Sequence, residues 1–306
     1  MGQCNCTIST WGNTGSPSCE ILEGVTRGLI FVSMETSAGT ANKIATGATL
    51  NKAYFDALIN NSDPTARWYP VRNLENVEDV RAEAIYETPP SGYKYKIKDG
   101  VRSFKAMAMK KSFVFLSKLE QLGCNDIGVY RIDSNDNLIG ITDGTDLYPV
   151  RLAKETIDFL KIMTKDNEHG KVQVSFDFDE SENDSSLRIL TSTTAGIKFS
   201  TLNGLLDVTG VVSDISTTGF TLTMTHDYGT FDGTDNKVTD WVKADYELTE
   251  VTPTPGTAEI TSVTETSDGV YVFVISEQTS KDVLSLSQAA GKLGFELEDV
   301  TVTIPS

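Results

Sequence analysis

The sequence predicts a mainly β chain in two modules, and three observations carry that expectation. Charge is divided unevenly. From Thr201 onward there are 17 acids, four lysines (Lys237, Lys243, Lys281, Lys292) and no arginine, a net −13; the first 200 residues hold 26 acids and 22 bases, and the whole chain of 306 is −17. Strand-type alternation recurs through the first two thirds, most cleanly in residues 171–179 (KVQVSFDFD). Beyond Leu205 the texture changes to short β-branched segments separated by Gly, Asp or Pro turns, the spacing of an antiparallel sandwich of immunoglobulin type. A chain of this length is also expected to split its core. The expected division is an extended N-terminal arm over 1–24, a β domain over 25–200 and an acidic immunoglobulin-like sandwich over 201–306.

Taken in order, residues 1–24 are polar and broken by Gly12-Asn13-Thr14-Gly15 and Ser16-Pro17, so they read as an arm. Residues 28–32 (GLIFV) form an apolar run between turn signals, the mark of a buried strand. Thr49 is placed to cap a helix over 50–60, where Tyr54 and Leu58, then Phe55 and Ile59, pair at i,i+4; Asp63-Pro64 ends it. Ser112 caps a second helical pattern with Phe113, Leu116, Leu119 and Leu122 on one face and Gly123 as terminator. Strands are expected at 127–132 and 138–141 around the turn Ser134-Asn135-Asp136-Asn137. Residues 171–179 should turn Val172, Val174, Phe176 and Phe178 inward, and a short helix is expected through Leu187 and Leu190. In the acidic module, strands are expected at 208–215, 219–224, 258–264, 270–275 and 300–304. Thr252-Pro253-Thr254-Pro255-Gly256 reads as a mid-domain connection, and Trp241 is the candidate core tryptophan.

The clearest exposed β-pattern lies between. In 80–86, Val80, Ala82, Ala84 and Tyr86 alternate with Arg81, Glu83 and Ile85; in 93–98, Tyr93, Tyr95 and Ile97 alternate with Lys94, Lys96 and Lys98. Pro89-Pro90-Ser91-Gly92 separates them, and a third strand follows Asp99-Gly100 over 101–109. This predicts a hairpin with one apolar and one charged face, in which Glu83 and Glu87 meet the lysines across the pair. Arg81, Glu83, Glu87, Lys94, Lys96 and Lys98 are the candidate assembly residues.

Most chemistry is excluded by what the pattern lacks. There is no nucleophile elbow, phosphate loop, dinucleotide fingerprint or zinc-protease motif. His169 lies in a polar turn-like run and reads as solvated. The run Asp133-Ser134-Asn135-Asp136-Asn137 starts like a calcium loop but has Leu138 at the sixth position and Gly144 at the twelfth, so it reads as a hairpin turn. Asp177, Asp179, Glu180, Glu182 and Asp184 read as a solvated helix start, with a calcium site as the alternative; Asp232, Asp235 and Asp240 receive the same two readings. Cys4, Cys6, Cys19 and Cys124 lack zinc-ribbon spacing and read as reduced thiols, with a clip on the arm as the alternative. Gly2 matches the start of a myristoylation signal, but Cys6 stands where Ser or Thr belongs. Neither a signal peptide nor a bilayer-length apolar run is present. The acidic excess argues against a surface that grips nucleic acid.

A resemblance adds to this reading. Cys19 with Gly28-Leu29-Ile30-Phe31-Val32, Arg67-Trp68-Tyr69-Pro70, Glu75-Asn76-Val77-Glu78-Asp79-Val80-Arg81, Asp99-Gly100-Val101-Arg102-Ser103-Phe104, Phe115-Leu116-Ser117-Lys118-Leu119-Glu120 and Asn137-Leu138-Ile139-Gly140 make residues 1–190 similar to virion proteins of tailed phages infecting Bacteroidota. Among these, the chain most resembles tail tube proteins of long-tailed phages, and its acidic module resembles the immunoglobulin-like decorations such proteins carry. The resemblance implies a tail-tube-like β-barrel or sandwich with one flanking helix. Subunits would pair their sheets into hexameric rings that stack through loops and arms. It implies a virion structural protein, assembled in the bacterial cytoplasm, with no catalytic residues, cofactor, metal or membrane. Its partners would be copies of itself and other virion proteins, with genome DNA passing along an acidic wall without tight binding. The alternative within the same reading is a connector, collar or capsid-decorating protein with a binding module.

Overall fold

The computed structural model describes residues 21–123, 125–230, 236–252 and 256–306. With 47% of residues in strands against 11% helical, the chain is mainly β. The expected arm up to residue 20, all four cysteines, Asp232, Asp235 and the prolines of the 252–256 connection lie outside the described residues.

The body begins with β1 (Thr26–Ser33), α1 (Lys52–Ile59), β2 (Trp68–Arg72) and β3 (Leu74–Arg81). There follow β4 (Ile85–Glu87), β5 (Tyr95–Lys98), β6 (Arg102–Met109) and α2 (Phe113–Glu120). It continues through β7 (Ile127–Asp133), β8 (Leu138–Thr142), the short β9 (Leu147–Tyr148) and β10 (Val150–Arg151), then β11 (Asp158–Ile162) and β12 (Lys171–Asp177). β13 (Leu187–Leu190) and the single turn α3 (Ser192–Ala195) complete it.

A seven-stranded sheet, half a barrel, runs β13-β8-β7-β1-β2 with β9 and β10 on its flank; a four-stranded sheet runs β11-β12-β6-β3. Leu29, Phe31, Val71 and Val129 of the first meet Phe104, Val172, Val174 and Phe176 of the second in one core. On the other face of the large sheet, Ile30, Val32, Trp68 and Tyr130 pack beneath Phe55 and Ile59 of α1 and Ala195, Phe199 and Leu202. β1 is therefore covered on both sides. That is why its sequence is a continuous apolar run rather than an alternation. β12 alternates because one of its faces is wet, and Val172, Val174, Phe176 and Phe178 are all buried as expected.

Two eight-residue helices flank the body, not one. α1 is capped by Asn51, whose side chain accepts from Tyr54 N, rather than by Thr49. α2 is capped by Ser112 as predicted and sends Leu119 into the inter-sheet core, while Phe113 stays exposed beneath the Lys161 ammonium. The helix expected through Leu187 and Leu190 is the edge strand β13: a 3-10 turn at Asp184–Ser186 delivers the chain to β8, whose open edge satisfies more backbone groups than one more helical turn would.

The last hundred residues form a sandwich around a separate core. Its strands are β14 (Leu206–Ser216), β15 (Gly219–His226), β16 (Tyr246–Thr252), β17 (Gly256–Thr257), β18 (Ile260–Ser267), β19 (Val270–Ile275), β20 (Val283–Gln288), β21 (Phe295–Leu297) and β22 (Val300–Thr303). One sheet is β18-β19-β15-β14-β21 and the other β17-β16-β20-β22. Counting strands in chain order, this is the D-E-B-A sheet facing the C′-C-F-G sheet of an immunoglobulin sandwich. Trp241 is buried in that core as expected, but it precedes the third strand instead of lying on it, and packs against Tyr246 and Phe295.

Candidate assembly interface

β3 and β6 are two arms of one long hairpin, and β4 and β5 are its tip. At the base Val80 pairs with Ser103 and Arg81 with Arg102; at the tip Ile85 pairs with Lys98 and Glu87 with Tyr95. Ala82–Ala84 interrupt the ladder opposite Asp99–Val101. The Ala82 amide still donates to the Val101 carbonyl at 2.9 Å, but a side chain at Gly100 would collide with the Ala82 carbonyl, so the chain bends there and glycine is required. The expected uninterrupted strand over 80–86 is thus corrected to the end of β3 at Arg81 and the short β4 from Ile85, separated by a kink.

Among the described residues, the tip past the kink pairs with nothing but itself. Tyr86, Tyr93, Tyr95 and Ile97 are 53–69% exposed, and Ile85 and Val80 are 48% and 60% exposed. Among the described residues none covers a face of the tip. A two-stranded ribbon in water is marginal by itself, and a cluster of exposed aromatic and aliphatic groups marks a contact surface.

The ionic arrangement differs from the expected one. Among the described residues neither Glu83 nor Glu87 forms an ion pair, and neither meets Lys94, Lys96 or Lys98. Lys96 pairs with Asp99 along its own chain, and Lys98 reaches Glu180 at 2.9 Å. The cause is a bulge inside the tip: Ile97 is left without a partner between Ile85 and Tyr86, so Lys98 faces Ile85, Lys96 faces Tyr86 and Glu87 faces Tyr95. Arg81 instead joins Asp184 at 2.8 Å. Lys94 is exposed beside the turn.

Beneath the tip lies a partly buried network, centred on the buried Arg131, that the sequence reading missed. Asp79 takes a bidentate pair from Arg102 (2.8 and 2.6 Å) and a third bond from Arg131 (2.9 Å); Arg131 also reaches Glu23 at 3.3 Å, and Arg102 reaches Asp184 at 3.1 Å. Burial works against the Arg102 charge, yet its bonds to Asp79 carry its pKa above the ordinary value; burial and then the Arg102 charge hold Arg131 below it. The network fixes the hairpin base to the large sheet. The signal available in the sequence was an acid in 75–81 and a base in 101–106 on strands predicted to be neighbours.

The acids at the end of β12 and beyond it are tied to the protein's own donors and cations rather than grouped as a calcium loop, and Asp184 opens the 3-10 turn described above. Asp177 accepts from the Ser103 hydroxyl, Glu180 and Asp184 take the pairs above, and Glu182 accepts from the Arg151 amide, its pKa raised by burial. Asp133 is a turn residue as read: its carboxylate accepts from Asn135, Asn137 and Gly24 amides. His169 is exposed.

No protein-family model and no curated protein matches the chain. No helix among the described residues is long and apolar enough to cross a membrane.

The acidic module is clamped to the body by charge. Arg67, nearly buried, makes a bidentate pair with Glu296 (2.6 and 2.8 Å), Lys118 holds Asp207 and Asp227, and Asn60 accepts from the Gly294 amide at 2.7 Å. Between them runs a cleft of about 680 Å³, lined among others by Tyr69, Phe115 and Tyr228.

Proposed function

We propose that this chain is a self-assembling structural subunit of a phage virion, the tail tube protein of a long-tailed phage being the specific reading, with the acidic sandwich as a module carried on the body. The observation that carries the proposal is the hairpin tip, an ordered β-ribbon whose apolar side chains are exposed on a body that has a complete core without it. Ordering such a ribbon costs conformational entropy that its own two strands do not return, so its partner is a neighbouring subunit. A sheet tip that docks on the next copy is a heterologous contact, and repeated around an axis it closes a ring or extends a tube. The role is structural, not catalytic. In this reading duplex DNA passes through the assembly without appreciable affinity, since a chain of net −17 repels phosphates.

Negative-stain microscopy of the purified protein tests the proposal. Hollow rings or stacked tubes are the expected images. Trimers or fibres would move the protein to a decorating role, and a monodisperse monomer at high concentration would remove the assembly reading.

A further inference from the structure

The body carries a second surface that the assembly hairpin does not explain. Arg27, Arg72, Lys110 and Lys111 line one groove of about 520 Å³, floored by Gly28, Leu74, Met109 and Ile132. Two left-handed backbone positions, Asn73 (φ 61°) and Lys110 (φ 54°), face each other there, joined by the Met109 amide bonding the Asn73 carbonyl at 3.2 Å. Arg72 donates to the Ser200 carbonyl at 2.9 Å and Arg27 lies 3.4 Å from the Leu74 carbonyl, so both guanidiniums are positioned by backbone oxygens. The Lys111 ammonium sits 4.5 Å from the centre of the Phe115 ring.

None of these four cations forms an ion pair among the described residues. Elsewhere in the chain Arg67, Arg81, Arg102, Arg131 and Arg151 each hold a carboxylate; what sets the groove apart is that four cations without an ion pair line one depression. The groove contains one carboxylate, Glu75, which is exposed. Burial and then the nearby Arg72 charge hold the Lys111 pKa below its ordinary value, as expected for a cation with no counter-charge. The chain's own acidic module does not supply one: Asp207, Asp227 and Glu296 are engaged by Lys118 and Arg67, and none lines the groove.

We infer that this groove is the docking site for carboxylates of the acidic module of a second copy of the chain. The two surfaces are complementary in charge: four cations without an ion pair line the groove, and the module has 17 acids and four lysines. A nucleic acid would meet the same groove only against the net repulsion of the whole chain. The inference rests on the self-assembly reading and adds a contact separate from the hairpin tip, so that the body of one subunit holds the sandwich of the next.

Zero-length carbodiimide coupling, which joins a lysine amine to a carboxylate, tests it on a mixture of unlabelled and ¹⁵N-labelled full-length protein. The expected result is mixed-isotope peptide pairs that link Lys110 or Lys111 to acids beyond residue 205, suppressed by high salt. In parallel, the double variant Arg27→Glu/Lys110→Glu, which alters two exposed side chains, weakens self-association measured by sedimentation on the order of tenfold or more. Mixed-isotope links that arise elsewhere, for example from Lys94 or Lys96, but never from Lys110 or Lys111, overturn the groove contact and leave assembly intact. An absence of mixed-isotope links overturns both. Binding of duplex DNA that the double variant abolishes would reassign the groove to phosphate and overturn the inference.

Discussion

β1 and the β4–β5 tip are both short antiparallel β-structure, yet their surroundings are opposite. Leu29, Ile30, Phe31 and Val32 are at most 1% exposed, with a sheet on one side and helices on the other. Every residue of β4 and β5 is exposed, and the ribbon's large side chains touch no core. The first strand is held by its own chain; among the described residues, the second is held by its hydrogen bonds and the ion pairs at its base. In the proposed assembly a partner orders the tip, whereas β1 is ordered by its own chain.

That contrast can be broken or sharpened by substitution. The largest effect is expected at β1: Phe31→Ala removes a ring set edge-on to Phe159 and Phe176 and should cost ~3–5 kcal/mol in chemical denaturation. A cost below ~1 kcal/mol would mean that the core is not packed as described. Asp79→Ala is expected to cost a comparable ~3–5 kcal/mol, because it leaves the buried Arg131 and Arg102 short of their shared carboxylate. Retention of wild-type stability there would show that the network adds nothing to the join between hairpin and sheet.

The double change Tyr93→Ser/Tyr95→Ser should move monomer stability by less than ~0.5 kcal/mol while preventing assembly, followed by light scattering. Destabilisation of the monomer instead would show that the tip is part of the subunit's own core. The smallest effect is local. Asp63 accepts hydrogen bonds from Thr65 and then Ser37, which hold its pKa down from 3.8 to about 2. Since the folded-state value is depressed, this contribution is complete above the usual carboxylate range and is lost as pH falls from 3.8 through about 2. A carboxyl-carbon NMR titration reads the midpoint directly, and a midpoint near 3.8 would show that the loop is not pinned.

Much of the body was legible because single-strand pattern decides it. Alternation placed β12, the unbroken run GLIFV placed β1, and Ser112 marked the start of α2. Pairing between distant segments was not legible. β13 has leucines at i,i+3, a helical spacing, and becomes a strand because β8 offers it an edge. β16 and β20 escaped notice although Tyr246 and Leu248, then Leu284 and Leu286, alternate inward; their outward positions carry Glu, Thr and Ser, which dilute the apolar signal. At the candidate interface the exposed aromatic residues were visible as a pattern. The partners of the lysines were not, because a one-residue bulge at Ile97 sets the register of the tip, and alternation alone does not reveal a bulge.

In the sandwich, β14 is completed by β21: Leu206, Asp207 and Val208 run parallel to Phe295, Glu296 and Leu297. The first strand of this module to leave the ribosome is thus closed by nearly the last, and Glu296, which grips Arg67, arrives with it. The body, whose core ends at Leu202, can fold while the sandwich is still being synthesised. The inter-module clamp then forms only after the body is complete, and a nascent chain stalled before Leu297 would carry a finished body beside a sandwich in which one edge of β14 is open.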